Sequence, residues 1–196
     1  MKVYRFAKDA FTPSFSLWLL LLSLLVRPLI AHGYEGKIVL KEALVRGREG
    51  RVSFQMVGTG VEELEEVIKS GIRVTFRFDV LIKRVHRNWF DRTVGSLTLT
   101  KEIHYDPVAK ESVITLNPSG KRFLVKDLAK AMSEFFSEKD LVVPLSEEAR
   151  RGKTYEIFVR ARLDQLEIGE VFGFLPFIRS WFEVKTEWAH VKVKAR

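Results

Sequence analysis

The chain contains no cysteine and only six prolines among its 196 residues. No thiol is therefore available as a nucleophile, as a zinc ligand or for a disulfide, so the fold must be stabilised by packing alone. The sequence also lacks G-x-S-x-G, G-x-x-x-x-G-K-[ST], G-x-G-x-x-G and H-E-x-x-H, which are common catalytic and phosphate-binding motifs. We therefore predict a non-enzymatic protein with no catalytic residues and no cofactor.

Histidine is scarce as well, with four residues that lie far apart in the sequence. Metal sites usually show ligands at short, regular spacing, and no such spacing is present here. The sequence therefore predicts no metal site. The simplest interpretation of His86, His104 and His190 is that they are partly exposed residues on separate strands.

The first 33 residues have the features of an export signal. A basic region precedes a 12-residue apolar run at 15–26, and small residues follow. This order is typical of a secretory signal peptide, and the run is shorter than the roughly 20 residues that a membrane-spanning helix needs. We predict a signal peptide cut after Gly33, or else an uncleaved N-terminal anchor, followed by one domain at 34–196.

Either alternative places the domain outside the cytoplasm, in the periplasm or anchored to the membrane and facing the periplasm. Membrane contact is then expected only through the N-terminal segment, and only if that segment is uncleaved. The formal net charge is +8, of which the first 33 residues contribute +3, so the domain at 34–196 carries +5. This excess favours attraction to anionic surfaces, whereas export argues against nucleic acid as a partner. An envelope protein or an anionic envelope component is the expected partner.

Alternation of polar and apolar residues dominates the domain. The segment 73–83 places Val74, Phe76 and Phe78 on one face, and 155–163 repeats the pattern. Shorter or less regular segments of the same kind are found at 37–45, 52–57, 97–105, 113–116, 122–125, 141–143 and 181–193. With turns at D-P (106–107) and N-P-S-G (117–120), these strands predict an antiparallel β-sandwich or a partly open barrel.

Two segments show helical spacing instead. The first, V-E-E-L-E-E-V-I-K-S-G at 61–71, has acidic residues in its first turns and Gly71 as a stop. The second, at 126–139, has apolar residues on one stripe: Leu128, Ala131, Met132, Phe135 and Phe136. The overall prediction is a β-rich α+β domain with two short amphipathic helices that cover part of the sheet.

The segment R-V-H-R-N-W-F-D-R-T at 84–93 places aromatic residues among arginines between two long strands. Arginine and tryptophan are favoured at protein interfaces, so we predict partner binding by Arg87, Trp89 and Arg92. We predict structural roles in a turn for Asn88, Phe90 and Asp91. The alternation that begins at Val74 puts Phe90 on the core side, and the polar side chains can bond nearby backbone N–H groups.

Two alternatives to a partner-binding surface remain open. In the first, the aromatic residues at 84–93 only cover an edge of the fold. In the second, the domain binds a lipid or another small apolar ligand between sheet and helix. The candidate lining residues for that ligand are Phe135, Phe136, Phe172 and Phe174.

Several segments together resemble a known bacterial family. They are R-N-W-F-D-R at 87–92, the preceding G-I-R-V-T-F-R-F-D-V-L-I-K-R at 71–84, Y-E-I-F-V-R-A-R-L-D at 155–164 and S-W-F-E-V-K-T-E-W at 180–188. This combination is similar to the family called domain of unknown function 4390, over roughly 36–191. The family has no assigned activity, so the resemblance implies an exported bacterial domain and adds no catalytic residue.

Overall fold

The computed structural model describes residues 36–58, 61–86, 90–167 and 185–196. The strands in these ranges are β1 (Gly36–Arg46), β2 (Glu49–Gly58), β3 (Arg73–Arg84), β4 (Arg92–Asp106), β5 (Glu111–Asn117), β6 (Lys121–Val125), β7 (Ser137–Pro144), β8 (Thr154–Glu167) and β9 (Ala189–Lys194). The helices are α1 (Val61–Lys69) and α2 (Leu128–Phe135). Neither helix is long and apolar enough to cross a membrane.

The strands form two sheets in which every pair is antiparallel. One sheet has the order β1-β2-β7, and the other has the order β6-β5-β4-β3-β8-β9. Because each sheet has one apolar face, the two faces pack together and enclose the core. The β-rich α+β sandwich with two helices that the sequence predicts is confirmed.

The central strand β3 provides much of this core. Its residues alternate as predicted, and Val74, Phe76 and Phe78 are completely buried. The ring of Phe76 packs edge-on against the rings of Phe135 and Phe136, with centroids 5.8 and 5.6 Å away. Burying a side chain of this size contributes about 1.5 to 3 kcal/mol. This aromatic cluster therefore fixes α2 against the larger sheet.

Helix α2 is shorter than the sequence predicts. It begins after Asp127, whose side chain accepts a hydrogen bond from the Lys130 N–H at 2.7 Å, and it ends at Phe135. The prediction of a helix to residue 139 is wrong because the chain enters β7 at Ser137 and pairs with Gln55 of β2. Pairing with β2 gives the backbone N–H and C=O groups the hydrogen bonds that further helical turns would otherwise provide.

The predicted strand at 181–193 is also wrong in part. Residues 181–184 lie outside the described ranges, and β9 begins only at Ala189. Thr186 explains the interruption: its N–H donates to the Ala161 carbonyl at 2.9 Å, while its Oγ1 accepts from the Ala161 N–H at 3.0 Å. A side-chain oxygen thus replaces the backbone acceptor that a continuous ladder would use.

The two sheets approach each other closely at Gly95. This residue forms an isolated bridge with Leu145, just after β7. A Cβ atom at position 95 would lie 2.8 Å from Leu145 Cδ2 and 3.0 Å from the Pro144 carbonyl oxygen, so only glycine fits without a shift. The contact brings the segment after β7, including Glu147, next to the start of β4.

Candidate functional site

The end of β3, the start of β8 and the turn before β8 enclose a cleft of about 520 Å³. The Val85 N–H donates to the Thr154 carbonyl at 3.0 Å, which holds the end of β3 against β8. We call this cavity the basic cleft; its lining residues are Arg84, Val85, His86, Arg150, Gly152, Lys153 and Thr154. Its lining residues 84–86 are the first three of the segment 84–93, in which the sequence predicts a partner-binding surface.

The carboxylate of Glu147 lies close to two arginines at the cleft. Glu147 Oε1 lies 2.6 Å from Arg84 NH1, and Glu147 Oε2 lies 3.7 Å from Arg92 NH1. The Nε of Arg84 donates to His86 Nε2 at 3.1 Å. Only 12% of the Arg84 side chain is exposed. These contacts hold Arg84 in a fixed position and leave excess positive charge beside it.

The turn before β8 adds two cations. Within the described part of the chain, no carboxylate lies within 4.0 Å of the Arg150 or Lys153 side-chain nitrogens. Their backbone is nevertheless anchored, because the Arg150 N–H donates to the Tyr155 hydroxyl at 3.0 Å and the Ala195 N–H donates to the Lys153 carbonyl at 3.0 Å. A fixed turn thus presents two charges that no described carboxylate neutralises, an arrangement suited to an anionic group.

The structure describes only part of the predicted surface. Arg87, Asn88 and Trp89 lie outside the described residues. Arg92 stands at the rim of the cleft with 64% of its side chain exposed. Asp91 Oδ1 accepts a hydrogen bond from the His86 N–H at 3.1 Å, which is the kind of contact that the sequence predicts for it.

The prediction that Phe90 faces the core is wrong, because its side chain is 86% exposed. The alternation along β3 does not extend that far. The β3–β4 pairing shifts register between Ile82 and Lys83, and β3 ends at Arg84. Phe90 therefore belongs to the exposed surface that includes Arg92.

Neither Arg150 nor Lys153 is among the site residues predicted from the sequence. They occur in R-R-G-K at 150–153, a basic group around a glycine between two strands. Gly152 has a φ of +77°, which is favourable for glycine and marks a tight turn. The combination of a turn signal with several basic residues could have identified this surface.

A second notable group is the buried ammonium of Lys101, whose side chain is 3% exposed. It lies 2.6 Å from Glu138 Oε2 and donates to the carbonyl oxygens of Glu134, at 3.1 Å, and Ser137. All three of its hydrogens therefore have acceptors, two of them near the end of α2, where positive charge is favourable. Burial lowers the pKa of Lys101 despite the neighbouring Glu138 carboxylate. The group joins α2 and β7 to the larger sheet.

A groove of about 330 Å³ opens beside Lys101, between the end of α2 and the strands β5 and β6. We call it the β6 groove; its lining includes Ile114, Leu116, Phe123, Glu134, Ser137, Glu138 and Lys139. Of the predicted ligand-lining residues, the two that the structure describes do not line this groove. Phe135 and Phe136 are buried in the core, with exposures of 0% and 3%, and Phe172 and Phe174 lie outside the described residues.

The outer face of the larger sheet is rich in arginine, but these arginines are paired with carboxylates. Arg160 NH2 lies 2.9 Å from Asp79 Oδ2, and its guanidinium carbon lies 4.3 Å from the centre of the Trp188 ring. Arg77 NH2 lies 2.9 Å from Asp164 Oδ2. This face therefore attracts an anion less than the basic cleft does. Elsewhere in the described ranges, no three His, Asp or Glu side chains are placed to hold a metal ion.

Comparison with known proteins gives a family but no activity. The family model described as "Domain of unknown function (DUF4390)" matches residues 37–192. A search of the curated proteins found no match. The matched segment includes every residue that lines the basic cleft or the β6 groove.

Proposed function

The chain belongs to the DUF4390 family, and we propose that it is an exported, non-enzymatic binding domain that captures an anionic partner at the basic cleft. The partner is an acidic surface of an envelope protein or another anionic envelope component. The observation that carries this proposal is the pair Arg150 and Lys153, whose charges have no carboxylate partner in the described part of the chain.

The arrangement of charges around the cleft supports electrostatic capture. A single exposed ion pair contributes only about 0.2 to 1 kcal/mol, so affinity requires several cations acting together. Arg150 and Lys153 line the cleft, and Arg92 shares the Glu147 carboxylate with the better placed Arg84. A cluster of this kind also accelerates the encounter with a negatively charged partner.

Residues that precede β4 in the sequence add candidate contacts to this surface. Arg87 and Trp89 follow His86, a cleft-lining residue, closely in the sequence, and the exposed Phe90 and Arg92 follow them. Arginine and tryptophan frequently carry most of the energy of an interface, because they combine apolar area with hydrogen-bond donors. We propose that Arg87, Trp89 and Arg92 contact the partner next to the cleft.

The N-terminal sequence supports an extracytoplasmic location. Its basic region and its apolar run at 15–26 are the features that direct a chain to the export machinery. A domain without cysteine is equally compatible with an oxidising compartment. The expected partner is therefore a component of the periplasm or of the cell envelope.

The proposal is tested by reversing charge at the cleft in the tagged full-length protein, expressed in the source bacterium. Arg150→Glu with Lys153→Glu should reduce the material that co-purifies from the solubilised envelope at least about tenfold. Lys37→Glu with Lys41→Glu is the matched control, because it makes the same change in charge on exposed positions of β1. Equal recovery with both double variants would contradict the proposal.

Salt dependence provides a second readout. Exposed charges are screened at separations beyond about 8 Å at physiological ionic strength, and at shorter range in more salt. The difference between the cleft variant and the control should therefore shrink as sodium chloride is added to the extract. A difference that does not change with salt would indicate that the variant has lost its fold and not its charge.

A further inference from the structure

The edge strand β6 and the groove beside it carry a second inference. We propose that β6 binds an extended, acidic peptide segment of a partner protein by adding it as a further strand to the larger sheet. Strand β6 pairs with β5 on one side, and no described strand pairs with its other side. Its outer row of backbone N–H and C=O groups is thus placed to pair with another chain.

Strand β6 is apolar on both faces at its centre. Phe123 is 43% exposed and lies opposite Ile114 on the inner face, and Leu124 is 61% exposed and lies opposite Val113 on the outer face. Solvated edge strands usually carry polar residues in such positions, because apolar edges invite pairing. An added strand would remove both side chains from water.

The β6 groove provides a place for one side chain of the added strand. Phe123 and Leu116 form its apolar wall, and residues 137–139 of β7 form part of the opposite wall. Side chains of an added strand alternate between the two faces of the sheet. Every second side chain of a bound segment would therefore lie on the inner face, next to Phe123. The groove, with a volume of about 330 Å³, is large enough for an aliphatic side chain.

The charges around β6 select an acidic segment. Lys121 and Arg122 are exposed at the start of the strand, and Lys139 stands at the groove. No carboxylate in the described ranges lies within 4.0 Å of these three side chains. Lys126, just past the strand, is 81% exposed and reaches Glu111 only at 3.8 Å. Acidic residues that flank the apolar centre of a peptide would meet all of these cations.

This surface is separate from the basic cleft. Strand β5 pairs with the second half of β4, and that half pairs with the first residues of β3. The basic cleft lies at the opposite end of β3, at Arg84. Each surface can therefore be removed without altering the other.

The test uses a defined probe, a fluorescein-labelled peptide of sequence Glu-Asp-Val-Thr-Val-Asp-Glu with blocked ends. Its binding to the full-length protein in mild detergent is followed by fluorescence anisotropy. Two control peptides carry N-methyl groups on alternate residues. In the first the methyl groups block one edge of the peptide strand, and in the second they block the other edge. Strand addition uses the donors of one edge, so one control should bind at least about tenfold more weakly and the other should bind like the unmodified peptide.

Protein variants separate the groove from the rest of the surface. Phe123→Glu should weaken binding at least about tenfold, because it places a negative charge in the groove and next to the acidic probe. Val142→Glu is the matched control, since Val142 has a similar exposure of 40% but lies on β7 of the smaller sheet. Thermal unfolding of both variants verifies that each remains folded. The Arg150→Glu, Lys153→Glu protein should bind the probe as the parent does.

Three results would overturn the inference. The first is absence of probe binding, or equal binding of both methylated peptides, which would exclude strand addition. The second is a dimer of the parent protein that Phe123→Glu dissociates, which would assign the edge to a second copy of the chain. The third is binding of a fluorescent fatty acid, lost in Phe123→Glu, without binding of the peptide; the groove would then hold a small apolar molecule.

Discussion

Arg84 NH1 lies 2.6 Å from Glu147 Oε1, and this contact joins the end of β3 to the segment between β7 and β8. The same carboxylate is 3.7 Å from Arg92 NH1. Glu147 therefore holds the cleft together and at the same time neutralises part of its charge. These two roles have opposite effects on binding and on stability, so they can be separated by mutation.

Replacing Glu147 should produce both effects. Glu147→Ala leaves the mostly buried Arg84 without its carboxylate, and we expect a loss of about 1 to 2 kcal/mol in the free energy of unfolding. It also raises the positive charge of the cleft, so binding to the anionic partner should become tighter. Urea unfolding and partner titration measure the two quantities. Weaker binding in a folded Glu147→Ala protein would show that Glu147 itself contacts the partner.

The predicted surface at 84–93 is tested by Trp89→Ala together with Arg87→Ala. If these residues bind a partner, capture should be lost while the melting temperature stays nearly unchanged. If they only cover an edge of the fold, the melting temperature should fall by several degrees and capture should fall in proportion to the unfolded fraction. Differential scanning fluorimetry on the same samples used for capture distinguishes the two.

Asp91 should stabilise the loop before β4 by its hydrogen bond to the His86 N–H. Asp91→Ala removes the acceptor, and we expect a loss of about 0.5 to 1 kcal/mol, since the bond is exposed. Asp91→Asn keeps an oxygen in the same position and should lose less. Equal losses in the two variants, measured by urea unfolding, would mean that the negative charge matters more than the hydrogen bond.

Lys101 should be far more sensitive to substitution than its position on a strand suggests. Lys101→Met leaves the Glu138 carboxylate and two carbonyl groups without their buried donor, and the expected loss is about 3 to 5 kcal/mol. Glu138→Gln keeps an acceptor for the ammonium and should cost less. A stable Lys101→Met protein would show that water replaces the ammonium in the groove.

The same lysine predicts a dependence of stability on pH. Burial lowers the pKa of Lys101 below its usual value of 10.5, so between its folded pKa and 10.5 the unfolded chain binds more protons than the folded chain. Stability from this group therefore rises with pH in that interval. The difference in unfolding free energy between the parent protein and Lys101→Met should grow in favour of the parent as pH approaches 10.5. If the unfolding free energies of the two proteins change with pH in parallel, the lowered pKa of Lys101 is contradicted.

The strands were the easiest part of the fold to predict, because period-two alternation is a strong signal when one face of a strand is buried. Phe76 and Phe78 are buried as that pattern requires. The same pattern contained a signal that sequence analysis did not use: Leu97, Leu99, Lys101 and Ile103 share one parity, so Lys101 occupies a core position. An isolated lysine in such a row indicates a buried, fully paired ammonium.

The pattern failed where local contacts override it. Phe90 is exposed because a register shift ends the alternation before the loop, and periodicity cannot show such a shift. The β-like pattern continues through Thr186, whose side chain interrupts the ladder. The turn signal at 150–153 marks a basic surface, but its position next to Arg84 could not be predicted, since the pairing of β3 with β8 brings Arg84 and Lys153 together. Sequence patterns determine the faces of strands but not their neighbours.

The most direct test of the account is photo-crosslinking in the source bacterium, with a photoreactive amino acid at position 153 of the cleft and, as the control, at position 41 of β1. We predict that position 153 yields a defined crosslinked product, that position 41 does not, and that the product disappears when Arg150→Glu is added. Identical products from both positions, or a product at position 153 that persists with Arg150→Glu, would contradict binding at the basic cleft.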